Sequence, residues 1–303
     1  MRNQSFSNIL VLAWLLVECS GGQNMETLLE PSSTTTEQPK GYFESKIGRI
    51  AYWIEGKGNT ILLLHSAGHD HKDFDSIREE LSKNYRVISI DWPGHGYSPN
   101  PNIMENASAV KYAEVLPDFV KQLAPDGVVA IGNSIGGFAG MKLALEKPSL
   151  VKGLILVDTG GMNEPDWKTR LFVGLKGKPW FTGLVWNLFP NHYIRIENKY
   201  TRSILERIRS RKEIEGSVEV NASIWRSFLE EGHDLRESAK NIKVPTLIVW
   251  GEFDPVILPE IGKDLREKIQ GSNLVLLKTG HVPFAEDPKS FLKFALPFIR
   301  SVI

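Results

Sequence analysis

The sequence predicts an α/β fold in which a mainly parallel central sheet is flanked by helices and interrupted by one inserted helical segment. Three observations predict it. Runs such as Ile61–Leu64, Val151–Val157 and Thr246–Trp250 are almost entirely apolar, as strands buried on both faces of a sheet are. Amphipathic stretches separate them, giving the β/α alternation of a parallel sheet covered on both sides. That alternation breaks between residues 162 and 242, where helical patterns continue without a buried strand.

Taken in order, Tyr42–Ser45 and Arg49–Ile54 alternate as strands, and Gly56-Lys57-Gly58-Asn59 turns the chain into the buried run Ile61–Leu64. Phe74–Lys83 places Ile77 and Leu81 on one helical face. A strand at Tyr85–Ile90, the tight loop Asp91–Ser98 and a helix over Ala107–Leu123 lead to the strand Val128–Ile131. The turn Gly132–Gly137 then opens a buried helix from Phe138 to Leu145. After the insertion come the strand Thr246–Trp250, a helix over Glu260–Ile269, the strand Asn273–Leu277 and a final helix over Lys289–Ile303. The expected organisation is therefore a core of residues 41–161 and 243–303 with an insertion at 162–242.

The 303-residue chain has 36 Lys+Arg against 36 Asp+Glu, so no global charge draws it to nucleic acid. Its N-terminus differs from the rest. Arg2 precedes the apolar run Ile9–Val17, too short to span a bilayer as a helix and of signal-peptide length. Cys19, the only cysteine, follows that run, and a Ser/Thr/Pro/Glu-rich stretch follows Cys19. This order resembles a bacterial lipoprotein: residues 1–22 form a signal peptide or lipoprotein-type signal, 23–40 a flexible tether, and Cys19 is the candidate lipid anchor. The expected location is secreted or cell-envelope. The folded body has no cysteine with which to form a disulfide.

The chemistry centres on Gly132-Asn133-Ser134-Ile135-Gly136-Gly137. Small residues two before and two after a serine permit a sharp strand-to-helix turn, which lifts the Ser134 hydroxyl to a helix N-terminus that favours negative charge. A serine needs a base within reach and an acid to orient that base. Gly280-His281-Val282-Pro283 and Gly251-Glu252-Phe253-Asp254-Pro255 offer them at strand ends, so Ser134, Asp254 and His281 are the candidate catalytic residues. Asp158, at the end of the strand after the elbow helix, is the alternative acid. His69, His71, His192 and His233 are expected in solvated or pocket-rim positions. The N–H groups of Ile135 and of Ala67, with Ser66 next to it, are the candidate oxyanion donors. No His, Cys and carboxylate cluster has ligand spacing, so neither a metal nor an organic cofactor is expected.

Together His65-Ser66-Ala67-Gly68, Asp91–Ser98, the serine elbow, the Asp254 segment and the His281 segment resemble the α/β-hydrolase superfamily. That resemblance covers the chain from about Gly41 onward and implies that the insertion is a helical cap over the catalytic crevice. The elbow is similar to those of esterases and of meta-cleavage-product C–C hydrolases. The implied activity is a serine hydrolase cleaving a small to medium apolar ester, with C–C hydrolysis as the alternative. A ligand-binding or signalling protein on the same fold is the reading from another class. His65, Trp180, Phe181, Leu184, Val185 and Val282 are the expected pocket residues, with Phe181, Leu184, Val185 and Leu188 on one cap-helix face. The basic run Arg202, Arg207, Arg209, Arg211 and Lys212 offers two readings: a solvated helix face, or contact with an anionic membrane. The sequence sets no oligomeric state.

Overall fold

The computed structural model describes residues 38–164 and 166–303; the expected signal, Cys19 and most of the tether lie outside the described residues. Strands β1 (Gly41–Ser45) and β2 (Gly48–Glu55) form an antiparallel ribbon. Then come β3 (Thr60–Leu64), helix α1 (Asp75–Ser82), β4 (Arg86–Asp91), α2 (Ala109–Leu123), β5 (Val128–Asn133), α3 (Ile135–Glu146) and β6 (Val151–Val157). Five helices follow: α4 (Trp167–Lys176), α5 (Pro179–Val185), α6 (Phe189–Tyr193), α7 (Lys199–Arg211) and α8 (Ser217–Ser227). The chain closes with β7 (Thr246–Gly251), α9 (Pro259–Lys268), β8 (Asn273–Leu277), α10 (Pro283–Glu286) and α11 (Pro288–Val302).

All eight strands share one sheet in the order β1-β2-β4-β3-β5-β6-β7-β8; β3 to β8 run parallel to one another, and β2 joins them by pairing antiparallel with β4. The apolar runs explain this. Successive strand residues face opposite sides, so Leu62 and Leu64 enter one core with α2 and α3, while Ile61 and Leu63 enter the other with α1 and α11. Each such side chain contributes about 1.5–3 kcal/mol on burial, which a half-polar strand could not supply on both faces. Parallel strands bring their carboxyl ends to one sheet edge, and the loops after β3, β5, β6, β7 and β8 all open there.

No strand interrupts the described residues between β6 and β7, in keeping with an inserted helical cap. No helix among the described residues is long and apolar enough to cross a membrane. The basic run is not a uniformly solvated face. Arg207 reaches Asp70 at 3.0 Å and Asp73 at 2.8 Å, and the buried Arg211 donates to the Gly94 carbonyl at 2.5 Å. These two arginines fasten α7 to the loops after β3 and β4.

Candidate active site

β5 ends directly at Ser134, whose backbone adopts φ 54°. Side chains at Gly132 or Gly136 would destroy this turn: a Cβ at Gly136 would stand 2.1 Å from the Leu64 carbonyl oxygen, and one at Gly132 would stand 2.3 Å from the Gly136 oxygen. The Ser134 N–H donates to Val157 at 3.1 Å, and its carbonyl accepts from Phe138 and Gly160 at 3.0 Å each. The elbow is thus pinned to β6 and opens α3 three residues earlier than the apolar pattern indicates, with Ser134 9% exposed at its start.

The loops after β7 and β8 bring the acid and the base together. His281 Nδ1 lies 2.7 Å from Asp254 Oδ2, and both side chains are buried. Asp254 Oδ1 accepts from the N–H groups of Val256 at 2.8 Å and Ile257 at 3.3 Å, which fixes the carboxylate plane. Asn133, beside the nucleophile candidate, donates its side-chain amide to the His281 carbonyl at 3.0 Å and so joins the elbow to the His281 loop. Ser134 Oγ and His281 Nε2 make no hydrogen bond to any described residue.

Asp158 arrives at the same place with a different environment. Its donor atoms and those of Asp254 and His281 lie within 4.8 Å of one another. Asp158 Oδ1 accepts from Gly251 N at 2.9 Å, while Oδ2 has no partner among the described residues. Burial, reinforced by the neighbouring Asp254 charge, pushes the Asp158 carboxyl well above the ordinary range and so favours its neutral form. Asp254 therefore has the carboxylate that faces the imidazole, and Asp158 does not. The three side chains satisfy the spacing of a metal site, which residue separation in the sequence could not reveal. The donor set fits one poorly, since Nδ1 is already committed to Asp254 and burial disfavours the charged form of Asp158.

The loop after β3 is rigid for reasons the sequence hides. His65 Nε2 accepts from Trp92 N at 3.0 Å and its Nδ1 donates to the Ser66 carbonyl at 2.7 Å, so both ring nitrogens are spent on the loop. His95 Nε2 accepts from Gly68 N at 3.0 Å in the same way. Burial pulls the pKa of both rings down, which keeps them neutral and able to accept. The N–H groups of Ser66, Ala67 and Ile135 donate to no acceptor among the described residues. They are the donors left for an oxyanion.

The expected pocket residues lie in different settings. His65 is a loop-locking residue, 1% exposed. Val282 is sealed in the core with no exposed surface. Trp180 and Leu184 are 66% and 70% exposed, because α5 ends at Val185 and turns Thr182 and Val185 inward instead. Leu188 lies beyond that helix and off its face; Phe181 is half-buried. Of the histidines expected in solvated or pocket-rim positions, His69 and His71 are buried, and His192 and His233 are half-buried.

The residues that do reach the site come from other cap helices. The Tyr193 ring meets the His281 ring at 5.6 Å, its carbonyl accepts from His281 N at 2.8 Å, and its hydroxyl donates to His69 Nε2 at 2.8 Å. His69 Nδ1 in turn donates to Asp73, the partner of Arg207. On the elbow side, His233 packs on Phe138 at 4.6 Å and on Phe228 at 5.0 Å. Sequence periodicity carried no sign of Tyr193, because a five-residue helix has no face to read.

Comparison with known proteins follows this geometry. A model described as the alpha/beta hydrolase fold matches residues 59–288. The chain is 27% identical to a pimeloyl-[acyl-carrier protein] methyl ester esterase of Nitrosospira multiformis, over 84% of this chain and 100% of that protein. It is 26% identical to a 2-hydroxy-6-oxononadienedioate/2-hydroxy-6-oxononatrienedioate hydrolase of Burkholderia vietnamiensis, over 91% of this chain and 99% of that one. Among solved structures, the enol-lactonase of Burkholderia xenovorans superposes with a TM-score of 0.73 at 23% identity, covering 86% of this chain and 100% of that chain. An esterase of Thermogutta terrifontis gives 0.71 at 24% identity, over 84% and 94%. These last two are likenesses of fold.

Proposed function

The chain belongs to the alpha/beta hydrolase fold family, and on that premise we propose that it is a serine esterase working through an acyl-enzyme. The observation that carries this is the buried pair His281 Nδ1–Asp254 Oδ2 at 2.7 Å beside a strained serine elbow. Asp254 holds the imidazole with Nδ1 protonated, so Nε2 is free to take the Ser134 proton as Oγ bonds to the ester carbonyl carbon. The oxyanion that forms is met by the N–H groups of Ala67 and Ile135, the latter at the start of α3 where the helix dipole adds to it. Collapse of the intermediate breaks the ester C–O bond, and His281 returns the proton to the alcohol. Water then repeats the sequence and releases the acid. The aromatic lining from Tyr193, Phe189, Trp225 and Phe228 suits a small to medium acyl group with an apolar body.

A second reading is C–C bond hydrolysis, favoured by the similarity to the Burkholderia vietnamiensis hydrolase over nearly the whole of both chains. The deciding experiment has two arms. A fluorophosphonate probe should label the wild type and leave Ser134→Ala unlabelled; labelling that survives in Ser134→Ala, or is absent from both, overturns the serine-hydrolase proposal. Turnover of a p-nitrophenyl ester against a ring-fission dienoate then separates ester from C–C chemistry.

A further inference from the structure

Three side-chain pairs on the cap helices are each spaced i, i+4 and so each lie on one side of their helix: Phe172 and Lys176, Phe189 and Tyr193, Asn221 and Trp225. Tyr193 orients this roof through its contact with His281. Asn221 does so from the other side, where a Cβ on Gly68 would stand 2.9 Å from its Nδ2. The Phe172, Phe189 and Trp225 rings pack against one another with centroids 5.4–6.4 Å apart.

Lys176 Nζ lies over two of those rings, 4.9 Å from the Phe189 centroid and 5.4 Å from that of Trp225. The side chain is 3% exposed. No carboxylate, carbonyl or hydroxyl of the described residues accepts from its ammonium group. Burial alone moves its pKa, down to about 8, with no acidic neighbour to oppose the shift. The other cations near the crevice are engaged, Arg207 by Asp70 and Asp73 and Arg211 by Gly94. A buried ammonium stabilised only by aromatic faces is an incomplete ion pair. From Lys176 a series of ring contacts leads through Phe189 and Tyr193 to the His281 imidazole, an apolar path between the charge and the candidate base.

We propose that Lys176 binds a carboxylate at the far end of the substrate's acyl chain, so that the preferred substrates are half-esters of dicarboxylic acids. The proposal rests on the esterase reading and names its substrate class. One ammonium flanked by hydrocarbon matches a single negative charge; a phosphate dianion would leave charge uncompensated in the same setting. Because the ammonium deprotonates near its lowered pKa, preference for the anionic substrate should decline as pH rises through about 8.

The test compares methyl half-esters of linear dicarboxylic acids, from succinate to sebacate, with the dimethyl ester of each acid. In the wild type, the ratio of kcat/KM for half-ester over diester should peak at one chain length. Lys176→Met, which keeps the volume between the rings, should lower that peak ratio at least about tenfold, chiefly through KM. Lys176→Arg should retain part of it. A ratio unchanged in Lys176→Met overturns the proposal, and diester turnover by the same variant reports that it is folded. If the wild type hydrolyses neither ester in a Ser134-dependent way, the esterase reading fails by itself. Calorimetric binding of monomethyl adipate and its homologues to Ser134→Ala, with and without Lys176→Met, then decides the Lys176 site independently: equal affinity in the two proteins overturns it.

Discussion

The carboxyl groups of Asp158 and Asp254 share one buried pocket at the ends of β6 and β7, and only Asp254 is paired with a base. The two carboxyls differ because Asp254 receives two backbone N–H donors and the imidazole, whereas Asp158 receives one donor and has an orphan oxygen. Asp254→Asn should therefore lower kcat/KM by on the order of 10³- to 10⁴-fold, since an amide facing Nδ1 imposes the wrong tautomer. Asp158→Asn, which keeps an acceptor for Gly251 and puts a neutral amide where burial already favours the uncharged acid, should stay within about threefold. Steady-state kinetics on the two variants checks the assignment, and the reverse order of effects would exchange the roles.

The same asymmetry predicts a pH dependence of stability. Burial and the Asp254 charge raise the folded pKa of Asp158 well above the 3.8 of a free aspartate, so the native state binds more protons than the unfolded chain above that pH. Wild-type stability consequently falls as pH rises from about 4 toward the raised folded value. Asp158→Asn removes this group. The difference in Tm, variant minus wild type, should grow as pH is raised from about 4 to 8. A difference constant over that range would mean that Asp158 ionises normally in the fold.

Much of this site was legible because it is local. Apolar runs place β3, β5, β6 and β7, a glycine pair marks the elbow, and turn residues mark the loops carrying Asp254 and His281. The choice between Asp158 and Asp254 needed coordinates, since both end parallel strands at the same sheet edge. The cap was the least legible. Trp180 and Leu184 look like a pocket face in sequence, yet α5 is too short to continue that face and packs its smaller residues inward. Arg207 and Asp70 are 137 positions apart, and nothing in a helical charge pattern announces such a partner.

Gly136 tests the elbow geometry. A Cβ there meets the Leu64 carbonyl oxygen at 2.1 Å, a backbone atom held in β3 that no rotamer change can move aside. Gly136→Ala should destabilise the protein by about 3 kcal/mol or more, or displace α3 from β3 with loss of activity. Gly140→Ala is the control within the same helix, because its nearest contact would be Leu154 Cδ2 at 3.5 Å. That variant should lie within about 1 kcal/mol of wild type by denaturant unfolding. Equal losses at the two positions would show that helix packing in general, and not the elbow, is responsible.

Arg207 joins the cap to the core through charge, and its removal should leave two buried carboxylates without a cation. Burial by itself would raise the Asp70 carboxyl, but Arg207, followed by His71 and Arg211, holds it at about 2. A carboxylate with a depressed folded pKa contributes stability above its unfolded value and loses it as pH falls through the folded one. Against the 3.8 of a free aspartate, Asp70 accounts for about 2 kcal/mol that is present at neutral pH and disappears between about pH 5 and 2. Arg207→Met should cost about 3–5 kcal/mol at pH 7, because Asp70 and Asp73 remain buried after their partner is gone. That deficit should shrink toward pH 3, where the carboxyls take up protons and no longer need the guanidinium. Denaturant unfolding of wild type and variant at the two pH values measures it, and a deficit independent of pH would assign the role of Arg207 to packing.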